Sequence, residues 1–189
     1  MIGTDNFEII KKAILAGIMI GLGVAAKTLV ENPYLGAFLF SLGLLSVFEL
    51  QLNLYTGKVG FSTFSPKTLT IIYIGNAIGM LITIFLFSTN PNYVSILQQA
   101  SIAKFAKPWY QMLAMGTVCG MLIHTATRAK TNKIITVLCI MVFILVGAEH
   151  CIADMANLWY NPGLIPLGKF CLVIIGNILG AKLVEFLLN

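Results

Sequence analysis

Charge is what this sequence has least of. Only 10% of its 189 residues are Asp, Glu, Lys or Arg, where an average soluble domain carries roughly 25%. So few charges do not cover a water-facing surface, which excludes an ordinary soluble enzyme or binding domain. Acidic residues number seven and histidines two, so a His-rich metal cluster is excluded too. His150 and Asp154 are four apart, but a helix break between them spoils the shared face that a metal pair needs. The four cysteines, Cys119, Cys139, Cys151 and Cys171, form no Cys-x-x-Cys and lie in apolar stretches, where they read as small buried hydrophobes. A net charge of +5 comes from twelve Lys and Arg at the ends of apolar runs. No single face is basic, so nucleic acid is not an expected partner. No cofactor, metal or catalytic site is expected.

What the chain has instead is apolar length. Hydrophobic residues make up 58% of it and the mean hydropathy is +0.91. Six segments stand out, at about 13–30, 36–54, 69–87, 109–127, 134–148 and 167–188. Each span needs on the order of 20 apolar residues, so six consume nearly the whole chain and leave no soluble domain. The expectation is one all-α transmembrane domain over 1–189, embedded in a lipid bilayer. Lys11 and Lys12 before an apolar run ending Val24-Ala25-Ala26 loosely imitate a signal peptide, but the run is long enough to span. Turn chemistry separates the segments: Glu31-Asn32-Pro33, Ser65-Pro66-Lys67, Asn90-Pro91-Asn92, residues 128–133 and Asn161-Pro162-Gly163. With both termini cytoplasmic, seven basic residues lie inside (Lys11, Lys12, Lys58, Lys67, Arg128, Lys130, Lys133) and four outside (Lys27, Lys104, Lys107, Lys169). The positive-inside rule favours that orientation.

A repeat runs through the pattern. Gly75-Asn-x-x-Gly79 in the third segment returns as Gly176-Asn-x-x-Gly180 in the sixth, and the first and fourth share Gly-x-x-x-Gly at Gly17/Gly21 and Gly116/Gly120. Two repeats of three spans, about 1–95 and 96–189, must be inverted relative to one another, an arrangement common in channels and transporters. The middle segment of each is interrupted: by Glu49, Gln51 and Asn53 in the second, and by Glu149, His150 and Asp154 in the fifth. Both read as broken helices followed by short remnants, at 59–64 and 158–165. Irregular backbone at membrane depth is tolerated where it lines a polar cavity, so the breaks point to a pathway. Ionisable groups in spans cost about 3 kcal/mol each, which marks Glu49, His124, Glu149, His150 and Asp154 as candidate functional groups.

The stretch Glu149-His150-Cys-Ile-Ala-Asp154-Met155 resembles the formate/nitrite transporter family, whose fifth helix breaks at Glu-His-x-x-Ala-Asn-Met. Leu54-Tyr55-Thr56-Gly57 is similar to the family's second-helix loop, and Lys104 lies where the family keeps a lysine. Phe143, Phe40 and Leu44 stand at the spacings of its constriction residues, and both Gly-Asn-x-x-Gly stretches fit. The resemblance implies an aquaporin-like fold, a homopentamer in the inner membrane, one pore per subunit, and formate, nitrite or hydrosulfide as substrates. The departures are Tyr55 for Phe, Asp154 for Asn, Gln51 and Asn53 for a Gly and an acid, and Gly120 for a fourth-helix Asn. Ile123 takes a pore-narrowing position, and His124 and Glu49 are additions.

On this reading Phe40, Leu44 and Phe143 form a cytoplasmic constriction, and Tyr55 with Ile123 a periplasmic one. His150 and Thr56 lie between them and donate hydrogen bonds to the anion, with His150 able to lend a proton. Lys104 draws anions and bridges to Glu149 or Asp154. Glu49, Gln51, Asn53, Gly120 and His124 are further candidates for the pore lining. A channel for a neutral small solute is the alternative, needing neither His150 nor Lys104.

Overall fold

The computed structural model describes residues 6–189; the first five residues of the expected first repeat lie outside them. The described residues form nine helices and no strand: α1 Asn6–Leu29, α2 Pro33–Glu49, α3 Tyr55–Lys58, α4 Pro66–Phe87, α5 Pro91–Ala106, α6 Trp109–Arg128, α7 Lys133–Leu145, α8 Cys151–Tyr160 and α9 Leu164–Leu188. The turn signals prove to be helix starts. Asn32 and Asn90 accept backbone N–H bonds ahead of Pro33 and Pro91, Ser65 does so ahead of Pro66, and Asn132 caps α7. A side-chain acceptor followed by a proline suits the first turn, where N–H groups lack partners.

Three helices, α1, α4 and α9, are each long and apolar enough to cross a bilayer. Helices α2 and α7 are apolar but shorter, because each stops at a break. Helix α6, expected as a span, has 20 residues but carries Gln111, His124 and Arg128. Helix α5 was not anticipated: 91–106 reads as a connection because Asn92, Gln98, Gln99 and Lys104 interrupt its apolar residues. Tyr93, Leu97, Ser101 and Phe105 are its buried face, recurring every fourth residue. The expected remnants also shift. Residues 59–64 are turns, whereas 151–160 form a full helix and α9 begins at Leu164, three residues early.

Helix α1 packs along α4, and α6 along α9, with backbones nearly touching. A Cβ on Gly17 would strike the Asn76 carbonyl, and one on Gly79 the Ile14 carbonyl. The second pair repeats this, with Gly120 against the Asn177 carbonyl and Gly180 against that of Thr117. Glycine is required at such approaches because any side chain holds the helices apart. The packing therefore matches Gly17 with Gly120 and corrects the alignment of Gly17/Gly21 with Gly116/Gly120 by one helical turn. Gly116 lies instead against Val173 and Gly176, as Ala13 lies against Gly75.

Candidate functional site

Both helix breaks are built the same way. After α2, the Gln51 N–H bonds the Phe48 carbonyl and the Leu52 N–H that of Val47; after α7, Gly147 bonds Ile144 and Ala148 bonds Phe143. This pair of bonds is a Schellman ending, which needs a left-handed residue. Gln51 (φ 51°) and Gly147 (φ 71°) supply it.

The extended segments that follow are clamped by the two repeated asparagines. Asn76 accepts the Tyr55 N–H at 2.8 Å and donates to the carbonyls of Asn53 and Ala13, both at 2.8 Å. Asn177 accepts the Cys151 N–H at 2.9 Å and donates to Glu149 at 2.8 Å and Gly116 at 2.9 Å. Both amides are fully buried. A broken helix leaves backbone polar groups that lipid does not satisfy, and these amides take them up.

The two loops meet at one bond. His150 Nε2 lies 2.8 Å from Thr56 Oγ1, with both side chains buried. His150 caps α8: its Nδ1 accepts the Ala153 N–H at 3.1 Å. A nitrogen that accepts carries no proton, so the neutral ring bears its hydrogen on Nε2 and donates it to Thr56. Adding a proton at Nδ1 means giving up the cap.

On one side of His150 is a chamber of about 250 Å³, lined by Lys27, Phe40, Lys104, Phe143, His150 and Asp154 among others. Phe40 meets Phe143 edge-on at 5.5 Å between ring centres, and Phe143 lies 6.0 Å from the His150 ring. Leu44, one turn from Phe40, is buried between helices. Lys104 binds Glu149 and, at 2.6 Å, Asp154 Oδ1, while Lys107 binds the other Glu149 oxygen at 2.8 Å. The second Asp154 oxygen is buried without a partner.

A cavity of about 560 Å³ lies towards the other end, lined by Gln51, Leu54, Lys58, Phe61, Arg128 and Lys130 among others. Leu54, not singled out from sequence, occupies in the first loop the place of His150 in the second, one residue before the clamped N–H.

The expected cytoplasmic place of Phe40 and Phe143 does not fit an N-terminus on that same side. Helix α2 starts beside the end of α1, so Phe40 shares a chamber with Val24, Lys27 and Thr28. Its break returns to the beginning of α1, where Asn53 bonds the carbonyls of Lys12 and Ile9. With the N-terminus inside, Phe40 and Phe143 face outward and the Tyr55 turn inward. The ring of Tyr55 packs edge-on against Tyr73 at 5.1 Å, and Ile123 is buried on α6.

The remaining candidates lie apart from His150. Glu49 is exposed and pairs with Lys133 across the ends of α2 and α7. Asn53 serves the loop through its own backbone and side chain, and Gly120 the α6–α9 seam. His124 is fully buried; its Nε2 lies 2.9 Å from Glu185, which also faces Arg128 at 3.7 Å, and the ring packs on Phe61 at 4.8 Å. Sequence reasoning missed Glu185 and Lys107. A lone acid in the apolar run 164–188 was a signal for the first; the second offered none beyond its nearness to Lys104. Among the described residues no group of three His, Cys, Asp or Glu is placed to hold a metal.

Comparison with known proteins adds to this geometry. Nitrite transporter NirC of Escherichia coli K12 is 26% identical over 170 residues, covering 75% of this chain and 63% of that protein. NirC of Salmonella typhimurium LT2 matches to the same extent. The chain thus matches about 63% of the length of these relatives. Among solved structures, an FNT family ion channel superposes with a TM-score of 0.81 at 22% identity, covering 97% of this chain and 89% of that one. A pentameric formate channel with formate bound gives 0.76 at 20% identity, covering 100% and 96%. These likenesses establish a shared all-helical fold. The family model described as formate/nitrite transporter matches residues 2–189, and the chain belongs to that family.

Proposed function

We propose that this protein conducts small monovalent anions (formate, nitrite or hydrosulfide) through the middle of each subunit, past His150. The observation that carries this reading is the His150–Thr56 bond, which joins two broken helices between two cavities. The whole chain acts as one six-span domain, two inverted repeats of about 1–95 and 96–189, assembled as a homopentamer in the inner membrane. Both termini are cytoplasmic, so the Lys27–Lys104 chamber opens outward and the Lys58–Arg128 cavity inward. Kinship to nitrite transporters and likeness to a pentameric formate channel support the anion and pentamer assignments.

The apolar steps at Phe40, Phe143 and Leu54 strip the ion of water, a cost that hydrogen-bond donors must offset. His150 Nε2–H is such a donor. An arriving anion displaces Thr56 Oγ1 from it and takes the bond, and the freed hydroxyl turns its own hydrogen to the ion. Hydrogen bonds to charged groups contribute about 1.5–3 kcal/mol each, so one accounts for roughly a ten- to hundredfold effect on flux. Lending a full proton demands an imidazolium and therefore loss of the Ala153 cap, which makes hydrogen bonding the primary role. Lys104, with Glu149 and Asp154, holds the loop that presents His150.

Uptake of formate, nitrite and hydrosulfide into proteoliposomes, across a pH series and beside protein-free vesicles, tests the reading. Saturable uptake of at least one anion is expected. His150→Asn, which keeps a capping side chain, should assemble normally and lower flux ten- to hundredfold. Unchanged flux of that variant at every pH defeats the histidine mechanism. Absence of uptake of all three anions defeats the anion reading and leaves a neutral solute as the next substrate to try.

A further inference from the structure

We propose that Lys27, rather than Lys104, supplies the positive field that draws anions into the outer chamber. The inference rests on the anion-pore reading and names a substrate-binding residue for it. It comes from the charges around the chamber. Lys104 and Lys107 are two cations, and Glu149 and Asp154, which they bind directly, are two anions. Three of their ammonium hydrogens go to these carboxylates, so each of the two lysines is already engaged. Lys169, nearby, is tied to the backbone carbonyls of Phe105 and Lys107 at 2.8 and 2.6 Å.

Lys27 differs from all of these. It lies in the last turn of α1 and lines the same chamber as Phe40, Phe143 and His150. It is exposed, and among the described residues no carboxylate pairs with it. Of the charged groups that line the chamber, Lys104 and Asp154 are bound to each other, and Lys27 is paired with neither. A narrow mouth with apolar walls concentrates such a field and raises the local concentration of counter-ions. The ammonium also has donors free to hold an arriving oxyanion in front of the Phe40–Phe143 pair.

The test is initial-rate uptake of formate and nitrite by wild type, Lys27→Gln and Lys27→Arg over a series of ionic strengths. Assembly is checked by size-exclusion chromatography, which an exposed side chain should leave unchanged. At about 0.01 M salt, where the screening length is about 30 Å, Lys27→Gln should lower kcat/KM about tenfold, through a higher KM. At about 1 M, with screening within about 3 Å, the difference should nearly vanish, and Lys27→Arg should follow wild type throughout. Equal kcat/KM for Lys27→Gln and wild type at low salt overturns the proposal. So does a loss that is the same at every ionic strength, which would mark a purely steric role. The wild-type arm is a separate gauge: if it carries no anion, the pore reading itself falls, and this inference with it.

Discussion

The loops at 51–55 and 147–151 share a backbone and differ in what they carry. Each follows a Schellman ending and each is held by two hydrogen bonds to a buried asparagine, whose third bond goes to a neighbouring helix. At the residue before the clamped N–H, the first loop places Leu54 and the second His150. The first runs into a single turn, α3; the second runs into the ten-residue α8, whose start is surrounded by Lys104, Lys107, Glu149 and Asp154. The common features are those a polypeptide needs to break a helix inside apolar surroundings. The differences give the molecule a polar wall on one side of its centre and an apolar wall on the other. Scaffold lies in the likeness and chemistry in the departure from it.

The strongest way to break the comparison is to remove a clamp. Asn76→Leu or Asn177→Leu leaves one N–H and one carbonyl of the loop buried without the asparagine, at about 1–3 kcal/mol each. Thermal unfolding in detergent should show both variants destabilised by a similar amount, on the order of 2–6 kcal/mol. Tolerance of one and not the other would end the equivalence of the loops. Removing a feature found only in the second loop comes next. Lys104→Met strands Glu149 and Asp154 with Lys107 alone and should cost about 3–5 kcal/mol. Adding Asp154→Asn to that variant should restore part of the stability, since the stranded charge is gone; no recovery would show that the ion pairs are incidental.

The smallest effect lies at the left-handed residues. A Cβ at Gly147 meets nothing within 4 Å, so Gly147→Ala isolates backbone strain and should cost about 1 kcal/mol. Gln51 already bears that strain, so Gln51→Gly should gain a few tenths of a kcal/mol once the more flexible unfolded chain offsets part of the relief. Differential melting of the two variants checks the opposed signs.

Much of the frame was legible in local chemistry. Asn32-Pro33, Ser65-Pro66 and Asn90-Pro91 announce helix starts because the acceptor and the missing N–H act within one turn. The Gly-Asn-x-x-Gly recurrence exposed both seams. Their register was less legible, since Gly17/Gly21 and Gly116/Gly120 look alike as strings and only the partner carbonyls show the one-turn offset. Helix α5 escaped because Asn92, Gln98, Gln99 and Lys104 keep its hydropathy low. Glu49 and His124 looked like pore groups because an ionisable residue in an apolar run has no visible partner in sequence. Lys133 and Glu185 are those partners, 84 and 61 positions away.

The sequence by itself determined an all-helical chain too apolar for water, broken at two matching places, with its rare polar residues gathered at the second break. Composition and short-range pattern suffice for that, because hydropathy, capping and helix interruption are properties of neighbouring residues. Only the tertiary structure decided which end of the molecule holds the Phe40–Phe143 pair, which carbonyls Asn76 and Asn177 hold, and that Lys104 and Lys107 are neutralised while Lys27 is not. Those facts depend on distances between residues far apart in the chain, and a charge acts on a passing ion only to the extent that its neighbours leave it uncompensated.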